Sequence, residues 1–232
     1  NHLNSMVIYS LSKIAGITGG KFEGKSDIQI NRLLIDSRVA ATSPASLFFA
    51  IKGRQHDGHD YITELYRNGV RAFVVSEMRE QYKTCSEAGF ILVTDTLDAL
   101  QTLACFHRMQ FSCPVVAISG SNGKTIVKEW LYHCLSDHYN ITRSPKSYNS
   151  QVGVPLSLWL MDENTNLGIF EAGISFPGEM VHLQRMIRPD IGIFTNIGEA
   201  HQENFDCIEE KIKEKLALFY GCHTLIYCRD HR

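Results

Sequence analysis

The most specific chemistry in the sequence lies in seven consecutive residues, Ser119-Gly120-Ser121-Asn122-Gly123-Lys124-Thr125. Glycines here let backbone N–H groups turn inward around phosphate oxygens. A helix opening directly after them adds partial positive charge from its first turn. In such a loop Lys124 reaches the β- and γ-phosphates of a nucleotide, and the Thr125 hydroxyl ligates Mg2+. The strict pattern G-x-x-x-x-G-K-[ST] asks for glycine at position 118, where this chain has Ile118. The competing interpretation is a glycine turn ahead of a helix, with Lys124 in solvent. The apolar run Val115 to Ile118 before the loop and the helical pattern from Thr125 to Ser136 after it favour a phosphate loop.

Other side chains could complete a site. Glu171 follows the apolar strand pattern Leu167 to Phe170. A carboxylate at the carboxyl end of a parallel strand faces the ligand crevice, where it can bind Mg2+ beside phosphates. His201 follows another strand pattern, Ile191 to Thr195. Mg2+ prefers oxygen, so chemistry alone would leave His201 a structural or solvated residue. Lys215 sits on a helical pattern from Glu209 to Phe219, with Lys211 and Lys213 beside it as rivals and a solvated face as the alternative. Ser37 and Arg38 stand just past a strand end, where a hydroxyl and a guanidinium fork could hold a nucleobase or pyrophosphate. Asp57-Gly58-His59, in the following loop, could line the same pocket. A plain turn with a surface ion pair is the other interpretation. Asn149 and Ser150 are weaker candidates for contact with phosphates or substrate.

The elements that position these residues differ between the two halves. Up to about Thr94 the pattern is short strands with turn residues between them: Ile28 and Ile30, Leu33 to Ile35, Leu47 to Ile51, Val70 to Val75 and Phe90 to Val93. Tyr61, Leu65 and Tyr66 have helical spacing, stopped by Asn68-Gly69. A linker helix is expected over Leu97 to Met109. After Pro114 strands alternate with helices at Val115–Ile118, Thr125–Ser136, Val152–Met161, Leu167–Phe170, Glu179–Ile187, Ile191–Thr195, Glu209–Phe219 and Leu225–Tyr227. That alternation predicts a mostly parallel, doubly wound sheet behind a small N-terminal α/β domain, with domains at 1–95 and 96–232. Trp130 and Trp159 fall on helical patterns, where core packing is the default. A doubly wound sheet normally continues with a helix after its last strand, so the chain reads as part of a longer protein, its central domain incomplete.

Composition narrows the class. The net charge of −2 argues against a general binder of nucleic acid or anionic membranes. No apolar run approaches the roughly 20 residues of a membrane span. Seven cysteines, with no CxxC, argue for reduced thiols in a cytosolic protein over a disulfide framework or zinc knuckle.

The loop at 119–125 resembles the ATP loop of the Mur ligases, which also lack the first glycine of the strict pattern. The resemblance extends to Asp36-Ser37-Arg38, Ser46-Leu47-Phe48-Phe49-Ala50 and Asp57-Gly58-His59 in the first half. In the second half it takes in Asn149 with Gly153-Val154-Pro155-Leu156-Ser157, Glu171-Ala172-Gly173 and Asn196-Ile197-Gly198-Glu199-Ala200-His201. Pro177-Gly178-Glu179 and the Gly198–His201 turn favour the branch that adds D-alanyl-D-alanine to UDP-N-acetylmuramoyl-tripeptide over the branch that adds the third amino acid. The resemblance implies an ATP- and Mg2+-dependent amide ligase of cytoplasmic peptidoglycan synthesis, working through an acyl phosphate. It implies UDP binding by the N-terminal domain through Ser37, Arg38 and the 57–59 loop, and contact of Asn149 and Ser150 with the muramoyl substrate or phosphates. It further implies metal roles for Thr125, Glu171 and His201, a carbamylated Lys215, and a further C-terminal domain without which this chain binds but does not turn over. A degenerate, non-catalytic nucleotide-binding module and a folylpolyglutamate synthase are the alternatives. The latter shares the central domain but lacks the domain carrying Asp36-Ser37-Arg38.

Overall fold

Short apolar strands and the helices between them sort into two separate units in the computed structural model, Asn1–Leu103 and Ala104–Arg232. The structure describes residues 7–24, 27–38, 42–53, 55–198 and 204–229. Among them no helix is long and apolar enough to cross a membrane.

The first unit holds β1 (Tyr9–Ser10), α1 (Leu11–Thr18), β2 (Lys21–Glu23), β3 (Gln29–Ile30), β4 (Arg32–Leu34), β5 (Ser46–Phe49), α2 (Ile62–Arg67), β6 (Ala72–Val75) and β7 (Gly89–Leu92). β1 and β3 form an antiparallel pair. The main sheet has the order β2-β7-β6-β5-β4, parallel except for the β2–β7 pair. Phe48, Phe73 and Phe90 fill one face, with the Phe73 and Phe90 rings stacked 5.4 Å apart. Helix α1 is capped at both ends. The Ser10 hydroxyl accepts from the Lys13 amide, and Gly19 turns left-handed at φ +67°. The sequence expectations do not include α1, β1 or β2, the two strands having only two and three residues.

Helix α3 (Thr96–Arg108) leads into the second unit, which contains β8 (Val115–Ser119), α4 (Lys124–Leu135), β9 (Ile141–Arg143), α5 (Gly153–Leu158), β10 (Leu167–Glu171), α6 (Glu179–Ile187), β11 (Ile191–Phe194), α7 (Ile208–Leu216) and β12 (Thr224–Tyr227). Its sheet is wholly parallel, in the order β12-β11-β8-β10-β9. Alternation along β8 divides the core. Val115 and Ala117 pack with Phe170, Leu183 and Leu158 on one face, while Val116 and Ile118 meet Val127, Leu131 and Leu135 of α4 on the other. The sheet is therefore covered on both faces, as the alternation of elements predicts.

Three expectations are corrected. The helix expected over Val152 to Met161 stops at Leu158, because the amides of Leu160 and Met161 close three-residue turns onto Ser157 and Leu158. The helix expected to continue to Phe219 gives way after Leu216 to a 3-10 turn, Ala217–Phe219. Trp130 is 67% exposed, since α4 packs through Val127, Leu131 and Leu135 and carries Ile126 and Trp130 on a neighbouring stripe. Trp159 is buried as expected.

Candidate nucleotide and metal site

The 119–125 segment leaves the carboxyl end of β8 and opens α4. Two of its glycines adopt backbones that other residues resist, Gly120 at φ +139° and Gly123 at φ +81°. At Gly120 space also excludes a side chain, because a Cβ would lie 2.0 Å from Thr195 Oγ1. The loop is braced by the segment after β11. Ser121 and Asn122 donate their amides to the backbone oxygen and Oδ1 of Asn196, at 2.9 and 3.0 Å. The Ser121 hydroxyl accepts from the Gly198 amide at 2.9 Å. These two amides thus serve the loop's own architecture. The start of α4 carries no side-chain cap, which leaves first-turn N–H groups for a phosphate.

Two ammonium groups meet this loop and a third meets the segment that braces it. Lys124 Nζ donates to the carbonyls of Gly120 (2.8 Å) and Ser121 (3.3 Å). Lys215 Nζ, on α7, reaches the same Gly120 carbonyl at 3.4 Å, and Lys211 Nζ donates to Gly198 O at 2.6 Å. Burial lowers the pKa of Lys124, against the pull of Glu171. Burial, with the charges of Lys124 and Lys211 adding to it, pulls Lys215 down to about 8. Gathered lysines suit a polyanion.

Glu171 closes β10 and is fully buried. The Thr125 hydroxyl donates to its Oε2 at 3.0 Å and lies 3.2 Å from Ser147 Oγ. Among the described residues its Oε1 has no hydrogen-bond partner. Lys128 Nζ stands 2.9 Å from that atom as an ion pair, outside hydrogen-bond geometry. The Thr125 hydroxyl and Glu171 Oε2, 3.0 Å apart, are oxygen donors of the kind a hard cation takes. Among the described residues no three His, Cys, Asp or Glu side chains converge on a metal position. Mg2+ commonly takes one or two carboxylates and completes its shell with phosphate oxygens and water. His201 lies outside the described residues.

Beside the loop opens a cavity of about 250 Å3, lined by Ser121, Lys124, Asn149, Ser150, Gly173, Glu179 and Lys215 among others. Asn149 accepts from the Gly173 amide through its own carbonyl, and Ser150 Oγ accepts from the Gly153 amide. Ser121, Lys124, Asn149, Ser150 and Lys215, distant in sequence, thus line one space, and Thr125 meets Glu171 directly.

The first unit has its own cavity, lined by Asp36, Ser37, Arg38, Gly58 and Tyr61 among others. The exposed Arg38 guanidinium forks onto Asp36 at 2.9 and 2.7 Å, and these bonds hold Asp36 down to about 2. His59 is absent from that lining. It is buried, its Nδ1 2.6 Å from Asp57 Oδ1 and its Nε2 accepting from the Ser76 amide at 3.0 Å. Asp57 also pairs with Arg79 at 2.6 Å. Asp57 and His59 therefore shape the loop that carries Gly58.

Sequence reasoning passes over Lys128, fully buried on α4, and names Asn196 within a motif without giving it the role of bracing the loop. Lys128 follows Lys124 by one helical turn, a spacing that is visible in the sequence without revealing burial.

Comparisons with known proteins find relatives for both units of the chain. The profile described as "Mur ligase middle domain" matches residues 118–232, and that described as "Mur ligase family, catalytic domain" matches residues 29–108. The chain is 34% identical over 187 residues to the UDP-N-acetylmuramoyl-tripeptide–D-alanyl-D-alanine ligase of Bacillus subtilis (strain 168), covering 79% of this chain and 40% of that protein. MurF from Acinetobacter baumannii superposes with a TM-score of 0.87 at 24% identity, over 97% of this chain and 50% of that one, a likeness of fold. MurF ligase from Thermotoga maritima, solved in complex with ADP, gives a TM-score of 0.74 at 29% identity over 86% of this chain and 46% of that one. The chain spans less than half the length of the curated relatives it matches.

Proposed function

This chain belongs to the Mur ligase family, and on that premise we propose that it is part of an ATP-dependent ligase joining D-alanyl-D-alanine to UDP-N-acetylmuramoyl-tripeptide in cytoplasmic peptidoglycan synthesis. The observation that carries the reading is the placing of Lys124 and Lys215 on the same Gly120 carbonyl, beside a cavity lined by Asn149. The names of the relatives support D-alanyl-D-alanine over a single third amino acid as the incoming group.

In this reading the terminal carboxylate of the UDP-linked peptide attacks the γ-phosphorus of ATP. The bond to the β,γ-bridging oxygen breaks, giving an acyl phosphate and ADP. The amine of D-alanyl-D-alanine then adds to the acyl carbon, loses a proton, and expels inorganic phosphate. Lys124 leaves the two carbonyls of its own loop for the more strongly attracting phosphate oxygens. The first-turn amides of α4 hold the same anion. Thr125 and Glu171 are the groups that would hold Mg2+, with His201 as a further ligand. The ion would neutralise phosphate charge. Lys215 lines the cavity from α7, and its carbamylation would turn a cation into an anionic oxygen ligand. In the first unit, Ser37, Arg38 and Gly58 line the cavity assigned to UDP, with Asp57 and His59 shaping the loop that carries Gly58.

The test is calorimetry and phosphate release with the full-length protein. Wild type should bind an ATP analogue and release phosphate only with both substrates present. Lys124→Ala should lower kcat/KM by about 10²–10³. Near-wild-type ligation by that variant would remove the phosphate-loop assignment. The 232 residues alone should bind nucleotide or UDP-sugar without turnover.

A further inference from the structure

Lys128 is a fully buried lysine that the reaction above does not use. A buried ammonium persists only where ion pairs and hydrogen bonds replace its water. Lys128 draws these from several parts of the chain. Its Nζ donates to the carbonyl of Ser144 at 2.8 Å and to that of Lys146, stands 2.9 Å from Glu171 Oε1, and lies 3.2 Å from Glu129 Oε1. Glu129 is partly exposed and shared with Arg143, so Glu171 is the partner with no access to water.

The same contacts order the loop after β9. Lys146 adopts φ +48°, a left-handed backbone uncommon for a residue with a side chain, and its carbonyl accepts from Lys128. The neighbouring Ser147 hydroxyl lies 3.2 Å from Thr125 Oγ1. Ser144 Oγ accepts from the Glu171 amide at 3.1 Å. One ammonium thus ties both sides of the Thr125–Glu171 pair.

We propose that Lys128 is a positioning residue of the metal site: its ammonium holds the Glu171 carboxylate with Oε2 towards Thr125 and pins the 144–147 loop beside it. This rests on Glu171 and Thr125 being metal ligands. Lys128 acts on the nucleotide only through them, so its loss should be read in the metal's contribution to nucleotide affinity. Affinity measured without metal should hold.

The experiment is calorimetric titration of the full-length protein with a non-hydrolysable ATP analogue, in MgCl2 and in EDTA. The quantity read is the ratio of the two Kd values. Lys128→Met is expected to cut the Mg2+-dependent gain at least five-fold while changing Kd in EDTA less than two-fold. That variant leaves a buried carboxylate without its counter-charge, so Lys128→Gln, which keeps a donor for the Ser144 carbonyl, is measured beside it. The double variant K128M/E171Q removes both buried charges and supplies a folded comparison. Glu171→Gln separates the two ideas. If it also loses the gain, the metal reading stands and the Lys128 variants decide the present proposal. If Lys128→Met and Lys128→Gln keep the wild-type ratio while Glu171→Gln loses it, Lys128 does not position the site. If Glu171→Gln keeps the wild-type ratio, the metal assignment itself falls and the role of Lys128 falls with it. A uniform loss of affinity in both buffers for folded Lys128 variants would mark a purely structural role and overturn the proposal.

Discussion

Thr195 Oγ1 occupies the place where any side chain on Gly120 would begin, 2.0 Å from its ideal Cβ. The Thr195 hydroxyl is held there by donating to the Asn122 carbonyl at 2.6 Å. The end of β11 therefore defines how tightly the phosphate loop can curl.

The two loop glycines should respond differently to alanine. Gly120→Ala meets both the Thr195 hydroxyl and an unfavourable backbone, and should lose about 2–5 kcal/mol together with nucleotide binding. Gly123→Ala meets nothing within 4 Å and carries only the left-handed backbone, a cost of about 1–2 kcal/mol. Denaturant midpoints of the two variants, compared at equal m-values, check the order. Equal losses would show that the contact with Thr195 yields freely.

Lys215 should need carbon dioxide. With its pKa near 8, about one amine in ten is neutral at pH 7, and only the neutral amine adds CO2. The neutral fraction falls a further tenfold by pH 6, so carbamylation should weaken on acidification. Ligation by the full-length protein should drop in bicarbonate-depleted buffer and recover when bicarbonate is restored. Lys215→Arg, which keeps the charge without the carbamate, should be slow by about 10² and indifferent to bicarbonate. A wild-type rate that ignores bicarbonate would leave Lys215 as a plain cation.

His107 should make stability depend on acid. It is buried between Phe111 and Trp159, and burial lowers its pKa to about 4, from 6.5, despite hydrogen bonds to the carbonyls of Met161 and Trp159. Between pH 4 and 6.5 the unfolded chain then binds more protons than the folded one, so stability rises with pH across that window. The full effect is on the order of 3 kcal/mol. His107→Gln keeps a donor for the Met161 carbonyl and should flatten this part of the pH profile. An unchanged slope in urea titrations would place the acid sensitivity elsewhere.

Arg38 and His59 should separate binding from folding in the first unit. Arg38 is exposed and bonded to Asp36, so Arg38→Ala should change stability by no more than about 0.5 kcal/mol. It should weaken binding of the UDP-linked substrate by about ten-fold or more. His59→Leu removes the buried imidazole that accepts from the Ser76 amide and bonds Asp57, and should cost about 1–3 kcal/mol. Thermal unfolding and substrate calorimetry on both variants test the pair. A destabilised Arg38→Ala with intact substrate affinity would contradict it.

What the sequence made legible was whatever a short window contains. The 119–125 loop announces itself through glycine spacing between an apolar strand and a helix, and Glu171 through its place at a strand end. The fold class follows from the alternation after Pro114. Lys128 is illegible for a physical reason. A lysine on an amphipathic helix ordinarily faces water, and the groups that bury this one lie at positions 144, 146 and 171. His59 is similar, because its burial depends on Ser76, on a different element. Trp130 misleads in the opposite direction: aromatic character suggests core, but the packing face of α4 is set by Val127, Leu131 and Leu135. Strand β9 has only three residues and pairs at one edge, too little for periodicity to show.

Pairing in the second sheet sets Glu171 opposite Ile118 and Phe194 opposite Ser119. Side chains along a strand alternate between faces, so sliding β10 by a single residue would turn Glu171 away from Thr125. Such a chain could still bury its leucines and valines and look native by its helix content, yet lack the Thr125–Glu171 pair proposed for the metal. Under the proposed function, ligand binding would report strand alignment: it would separate correctly threaded molecules from compact impostors that circular dichroism would count as folded.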